Sequence, residues 1–358
     1  MTAVTTGRRP AIPPETGPLP RARGPVSDAV IRALHRPPGS GVDALGTDAP
    51  DAWGEDAQLA LYACYELHYR GFRDVDADWE WDLDLHRVRG ELETRFLSAL
   101  RTDTGTAGSG DAHGVGAPGD VDAALTGLLT ADSDDDPGLA QYLLAHPDPD
   151  LLREYVVHRS VYHLKEADPH ALLIPRLSGR AKAGVVTVEF DEYGGGTRDG
   201  MHAVLFADLM RGLGLDAAYG AYLDRVPAPM LAVVNLMSLF GWHRSRRAMM
   251  AGHFAAAEAS TPPSAARLAR ALDAAGVEDP ACARFFTEHI EADAVHEQLM
   301  RREVLDVLLD SEPELADDVV FGIRATDAVE SRFTAHVLGA WQAGRSSLLP
   351  GIDAVSGG

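Results

Sequence analysis

The sequence predicts an all-α protein. Apolar residues recur every three or four positions through most of the chain, and Pro and Gly interrupt that periodicity at intervals of helix length. The one run that reads as a strand by propensity, Val185 to Phe190, has no partner strand nearby.

The first 25 residues are rich in Pro and Arg, lack apolar periodicity and are expected to be a disordered leader. Residues 26–100 form an N-terminal helical extension. Within it, Ala57, Leu61, Tyr62, Tyr65 and Tyr69 mark a helix over 51–72, and Leu85, Val88, Leu92 and Leu97 mark a second over 82–100. Residues 101–120, RTDTGTAGSGDAHGVGAPGD, contain almost no core-forming side chains and are expected to be a flexible linker and domain boundary. From 121 to 348 the chain reads as one helical domain, followed by a disordered tail at 349–358. Its helices are expected at 121–131, 137–145, 149–165, 169–193, 199–213, 216–224, 228–257, 263–275, 279–308, 313–320 and 324–344. Pro169, the glycines at 194–196, Pro227, the tandem Pro262 and Pro263, and Pro280 are among the breaks. The run VVTVEF is assigned to helix because Leu172, Leu173, Ile174 and Leu177 extend the same segment.

Composition narrows the function classes. Of 358 residues, 46% are hydrophobic and 24% charged, which excludes a wholly disordered chain. A formal charge of -22 repels phosphate backbones and anionic lipid, so nucleic acid and membrane are not expected partners. With only Cys64 and Cys282 there is neither a disulfide framework nor a thiolate cluster, and a metal would need nitrogen and oxygen ligands. No apolar run has the length of a signal peptide or a membrane span, so a cytoplasmic location is expected.

The sharpest chemical signal is HIEADAVH, residues 289–296. On a helix, His289, Asp293 and His296 lie at i, i+4 and i+7, share one face and can converge on a point. Two imidazoles and a carboxylate suit Fe(II), Zn(II) or Mn(II) and leave coordination positions open. Such a triplet arises by chance on the order of 0.1 times in a chain of this composition, so it does not decide alone. A polar helix face with incidental histidines would give the same string. Three further ligand-type residues, Glu192, His202 and Glu258, stand upstream on separate elements. Glu258 interrupts the small apolar run AGHFAAAEAS, where a carboxylate facing the core must be neutral, paired or metal-bound; a surface position is the alternative.

This order, Glu192, nine residues, His202, then Glu258, then His289, Asp293 and His296, resembles the haem-oxygenase-like di-iron oxidases, also called iron-containing redox enzymes. The resemblance covers roughly residues 125–345 and implies a haem-oxygenase-like helical bundle holding two Fe2+ ions, with O2 as co-substrate and an external electron donor. It places Glu192 and His202 on one iron, His289, Asp293 and His296 on the other, and Glu258 bridging or between them. Glu166 stands where the N-oxygenating members carry an additional carboxylate ligand; read alone it is equally a solvated helix-end acid beside Lys165 and Asp168. Glu189, one turn before Glu192, is a reserve ligand. His163 and His253 are candidates to hydrogen-bond a ligand, whereas His158, His243 and His336 read as structural. Arg244, Arg246 and Arg247 read as a solvated face or as a site for a substrate carboxylate.

The reaction implied is O2-dependent N-oxygenation of an amine or guanidine of an amino acid or other small metabolite in a biosynthetic pathway. Oxidative C–C cleavage or desaturation of a fatty acid or amino acid by the same site is the alternative. A non-catalytic ligand-binding bundle is the alternative of another class. The apolar N-terminal helix pair, outside the resembling region, could cover the bundle or build a homodimer.

Overall fold

In a computed structural model of the chain, residues 16–43, 50–106, 118–131 and 138–351 are described, with the side chains of 118, 119, 129–131, 291, 293 and 294 left aside. Among the described residues there are helices and two isolated bridges but no strand, so the all-α fold is observed. The N-terminal part contains α1 (Pro25–Leu34), α2 (Glu55–Glu66) and α3 (Leu83–Asp103). There follow α4 (Pro118–Ala131), α5 (Leu139–Ala145), α6 (Pro149–His163), a single turn α7 (Asp168–Ala171), α8 (Gly179–Glu192) and α9 (His202–Gly212). The chain then forms α10 (Ala228–Gly241), α11 (Arg247–Ala274), α12 (Pro280–Leu299), α13 (Asp306–Ser311) and α14 (Ala316–Gln342).

Local chemistry sets the helix starts that matter. Asp148 caps α6, its Oδ1 accepting from Asp150 N at 2.8 Å with Pro149 at the first helical position. Asp279 and Pro280 start α12 in the same way, with Asp279 Oδ1 accepting from Ala281 N at 2.9 Å. In and around VVTVEF, Ala181, Val185, Val188 and Glu192 are buried while Val186 and Phe190 are exposed. That spacing of three and four, against one neighbouring face, makes the segment helix rather than strand.

Several expected boundaries move: α14 runs unbroken through the break expected between 320 and 324, and the helix expected over 216–224 is replaced by turns and a short 3-10 helix at Leu223–Arg225. The tandem Pro262 and Pro263 do not break α11, which runs through them for 28 residues. Two missing N–H donors release the carbonyls of 258 and 259 from helical bonding, yet packing of the buried Ala265, Leu268, Ala271 and Leu272 on the same helix outweighs that loss. The break falls instead at residues 242–246, between α10 and α11, where the expected single helix over 228–257 is interrupted. The helix expected over 169–193 is divided into α7, a 3-10 turn and α8, with Pro175 in that 3-10 turn. The helix expected over 279–308 is nearly continuous, with a π-helical turn at Met300–Leu305.

The central pair is α11 against α14, brought close by glycine. A Cβ on Gly252 would lie 2.1 Å from the Val319 carbonyl oxygen, and one on Gly322 would lie 2.0 Å from that of Met249. Helix α12 lies on α11 and α9, and α8 packs on the π-turn that follows α12. On the other side α10 and α14 meet α2 and α3, and one contiguous apolar core runs from Val26 to Trp341.

Arg101–Asp103 close α3 and Pro118–Asp120 open α4; between them, most of the expected linker, residues 107–117, lies outside the described residues, as do residues 1–15 of the expected leader and 352–358 of the expected tail. Near the leader's end, Gly17 O accepts from Arg73 N at 2.8 Å. Near the tail, Leu349 N donates to Arg225 O at 2.8 Å. No helix among the described residues is long and apolar enough to cross a membrane.

Candidate metal centre

Five segments deliver ligand-type side chains to one buried region. Glu166 lies in the turn after α6, Glu192 ends α8, His202 starts α9, Glu258 lies mid-way along α11, and His289 and His296 lie two turns apart on α12. All six are buried. Their donor atoms form two groups, each within 4.8 Å: Glu166, His202 and His289, and Glu192, Glu258 and His296. The groups adjoin through His202 Nδ1 and Glu192 Oε2, 2.9 Å apart.

This division differs from the one expected by resemblance. His289 and His296 fall in different groups rather than one, and Glu166 joins the group of His202, while Glu192, expected on the same iron as His202, lies in the other group yet contacts His202 Nδ1 at 2.9 Å. Two turns of helix rise about 11 Å, enough for α12 to serve both groups with one histidine each. Asp293 lies on α12 between the two histidines, but its side chain is outside the described residues.

The imidazoles are oriented by their outer nitrogens. His289 Nδ1 donates to the Phe285 carbonyl at 2.7 Å, which turns Nε2 towards Glu166 Oε1 at 3.6 Å. His296 Nε2 contacts Asp191 Oδ2 at 3.2 Å, which turns Nδ1 towards Glu258 Oε2 at 3.4 Å and Glu192 Oε1 at 3.7 Å. Fixing one ring nitrogen so that the other presents a lone pair is what metal-binding histidine requires. Asp191 had no signal in the sequence, because its role depends on α8 and α12 lying side by side.

Burial opposes ionisation of Glu166, but the charges and hydrogen bonds of His163 and His289 outweigh it and hold the carboxyl well below the usual range. His163 Nδ1 lies 2.6 Å from Glu166 Oε1. Burial pushes the His163 imidazole itself down, against the pull of the Glu166 carboxylate beside it. For His202, burial lowers basicity but the neighbouring Glu192 carboxylate prevails and raises it. Glu189, 2% exposed, has no hydrogen-bond partner for either oxygen among the described residues. Burial first, then the charges of Glu192 and Glu258, push its carboxyl well above the usual range.

The phenol of Tyr162, buried on α6, is pushed up by burial and by the carboxylates of Glu166, Glu192, Glu258 and Glu189, which places it within electrostatic reach of both groups. Sequence reasoning passed over it, since a tyrosine in a helical core is ordinary. The other histidines have separate partners. His253 pairs with His170, Nε2 to Nε2 at 3.1 Å, and with Thr326 Oγ1 at 2.8 Å; His158 bonds Ser347, His243 bonds Glu93 and His336 bonds the Ser347 carbonyl. Arg246 donates to the Leu239 carbonyl, and Arg247 pairs with Glu312.

The donor set fits iron. Three carboxylates and three imidazoles are the ligands that non-haem iron takes, and the partners of Glu166 and Glu192 among the described residues are imidazoles. Glu166 Oε2 is buried without a hydrogen-bond partner among the described residues, which is costly unless a cation meets it.

Comparison with known proteins agrees. Residues 153–331 match the family described as iron-containing redox enzymes. Over 240 residues the chain is 25% identical to a nitrosourea synthase of Streptomyces achromogenes subsp. streptozoticus, a stretch that covers 66% of this chain. It covers 49% of that protein, so the match spans about half the relative's length.

Proposed function

Starting from a chain that belongs to the iron-containing redox enzyme family, we propose that it is a non-haem di-iron oxygenase that N-oxygenates an amine or guanidine of a small metabolite. The observation that carries this reading is the pair of adjoining buried groups, Glu166 with His202 and His289, and Glu192 with Glu258 and His296. Two ferrous ions held there would supply the electrons that activate O2. The reducing equivalents that return them come from an external donor.

N-oxygenation is favoured over C–C cleavage or desaturation by Glu166. It is buried against His163 and His289 instead of lying at a solvated helix end, which supports its reading as the additional carboxylate. The similarity to a nitrosourea synthase, a protein named for a product with a nitroso nitrogen, supports the same reaction class. We also propose Asp293 as a ligand, from its place between His289 and His296.

The chain's own groups have definable tasks. Phe285 and Phe206 pack at 5.1 Å beside His163 and His289 and keep water from the Glu166 group. The Glu189 carboxyl, kept protonated by burial beside Glu192 and Glu258, holds a proton at Oε next to the second group. The Tyr162 hydroxyl stays protonated and can donate a hydrogen bond to a bound substrate or oxygen. Neither would add negative charge to a region that already holds three carboxylates.

The test has two stages. Anaerobic Fe(II) loading is expected to give two iron ions per chain by elemental analysis, and zero would remove the di-iron reading. The loaded protein is then supplied with O2 and a panel of amines and guanidines, with hydroxylamine, nitroso and nitro products sought by mass spectrometry. Oxygen uptake with alkene or cleavage products alone would assign the C–C chemistry instead.

A further inference from the structure

The turn that carries Glu166 is held from the N-terminal part of the chain, upstream of the residues that match the family. We propose that Glu66 and Arg70, acting through Lys165 and Leu164, are positioning residues for Glu166, so that α2 and the turn after it form one wall of the metal centre. The proposal rests on Glu166 being a metal ligand.

Four successive residues show how the turn is fixed. The Leu164 carbonyl accepts from Arg70 Nη2 at 3.0 Å, and the Arg70 guanidinium lies 4.4 Å from the Tyr219 ring centroid. Lys165 is 1% exposed and its Nζ donates to Glu66 Oε2 at 2.7 Å. Its ammonium also sits over the rings of Tyr62 and Tyr69, at 4.8 and 4.4 Å. Glu66, likewise 1% exposed, is completed by the Tyr219 hydroxyl, which donates to Oε1 at 2.7 Å. Glu166 comes next. Ala167 follows with φ +75°, a left-handed conformation that a residue with a Cβ holds only when its surroundings impose it.

A buried ammonium cannot be left without its counter-charge, because desolvation of a lone ion exceeds what packing returns. Once Glu66 loses its charge, Lys165 either gives up its proton or moves towards water or another acid, and in both cases the ion pair that fixes it is lost. Its backbone cannot move alone, since one peptide bond separates it from Glu166. Displacement therefore reaches the group of Glu166, His202 and His289 directly. The group of Glu192, Glu258 and His296 is carried by α8, α11 and α12 and is linked to the turn less directly, through the Tyr193 hydroxyl, which donates to Asp168 Oδ1 at 3.0 Å, and through the contact of Glu192 with His202. The effect of Glu66 is therefore unequal, larger at the group of Glu166, which general destabilisation would not be.

Glu66→Gln keeps the side chain's shape and removes its charge, and Arg70→Met, at an exposed position, tests the same turn with little risk to folding. Metal-free proteins are titrated anaerobically with Co(II) against a chelator, and amide hydrogen exchange is followed at residues 164–168. Wild type should bind two ions. Glu66→Gln should weaken one by about 10- to 100-fold and the other by a clearly smaller factor, and Arg70→Met should weaken the first by less than Glu66→Gln does. Adding Glu66→Gln to Glu166→Ala should cost no further affinity, because both act on one ligand. Exchange at 164–168 should rise in both single variants. Equal affinity at both sites, an equal loss at both, or unchanged exchange would overturn the proposal. Should the wild type take up no metal, the di-iron reading falls, while exchange at 164–168 still decides whether Glu66 and Arg70 hold the turn.

Discussion

Gly194→Ala is expected to damage both the fold and the metal centre, and its neighbour provides the control. Gly194 has φ +69°, and a Cβ there would lie 2.4 Å from both Gly200 C and Met201 N and 2.8 Å from Gly200 Cα. Gly195 has φ +60°, but its Cβ would meet only the Phe190 ring at 3.8 Å. Alanine at either position incurs the left-handed penalty of about 1–2 kcal/mol. Only at 194 is overlap with fixed backbone added, on the order of 1–3 kcal/mol. The expected losses are about 2–5 kcal/mol for Gly194→Ala and about 1–2 kcal/mol for Gly195→Ala. The overlap would also part the two ends of the loop, joined by the bridge of Tyr193 with Met201, and so part Glu192 from His202, now 2.9 Å apart. Urea denaturation measures the stabilities, and anaerobic Fe(II) titration should show at least a ~10-fold weaker site in Gly194→Ala alone. If the two variants lose the same stability and the same affinity, the close approach of the loop ends does not set the geometry of the centre.

Three further outcomes are expected. Asp191→Asn should weaken metal binding by about 10- to 100-fold, read by chelator competition, because it releases the ring orientation of His296. Burial lowers His253 to about 4 and His158 to about 3, so the unfolded chain binds their protons first. Their contribution is present above the ordinary histidine value and is lost as pH falls towards those lower values. Unfolding free energy should drop by about 1.4 kcal/mol per pH unit for each histidine, and His158→Gln should make the slope shallower by one proton. Glu189 has the opposite sign: its raised carboxyl contributes below the ordinary Glu value and loses that contribution as pH rises. In the metal-free protein at about pH 7, Glu189→Gln should therefore raise stability by about 1 kcal/mol or more in urea denaturation, and a loss would show that the carboxylate is ionised and paired.

Helix content and ligand type were legible in the sequence because both are local. A 3.6-residue period is written in side-chain order, and five of the six described ligand-type residues stand in the sequence pattern that drew attention to them, Glu166 having been reached through the resemblance instead. Glu258 within AGHFAAAEAS was legible for the same reason, since a lone acid among alanines has few places to go. Helix ends were less legible. The proline pair at 262 and 263 is tolerated because the second half of α11 has its own buried face, and no local rule weighs that packing against two lost hydrogen bonds.

By itself, the sequence determined which residues carry metal-ligating chemistry and that helices would present them, since side-chain chemistry and helical period need no partner. Only the tertiary structure decided which ligands meet. His289 and His296 share one helix face yet fall in two groups, because two turns of helix rise about 11 Å and so bring them to side chains from different elements. Glu166 lies beside His163 and His289, and the lysine before it meets Glu66, about a hundred residues upstream; contacts between such distant segments are set by packing of the whole chain.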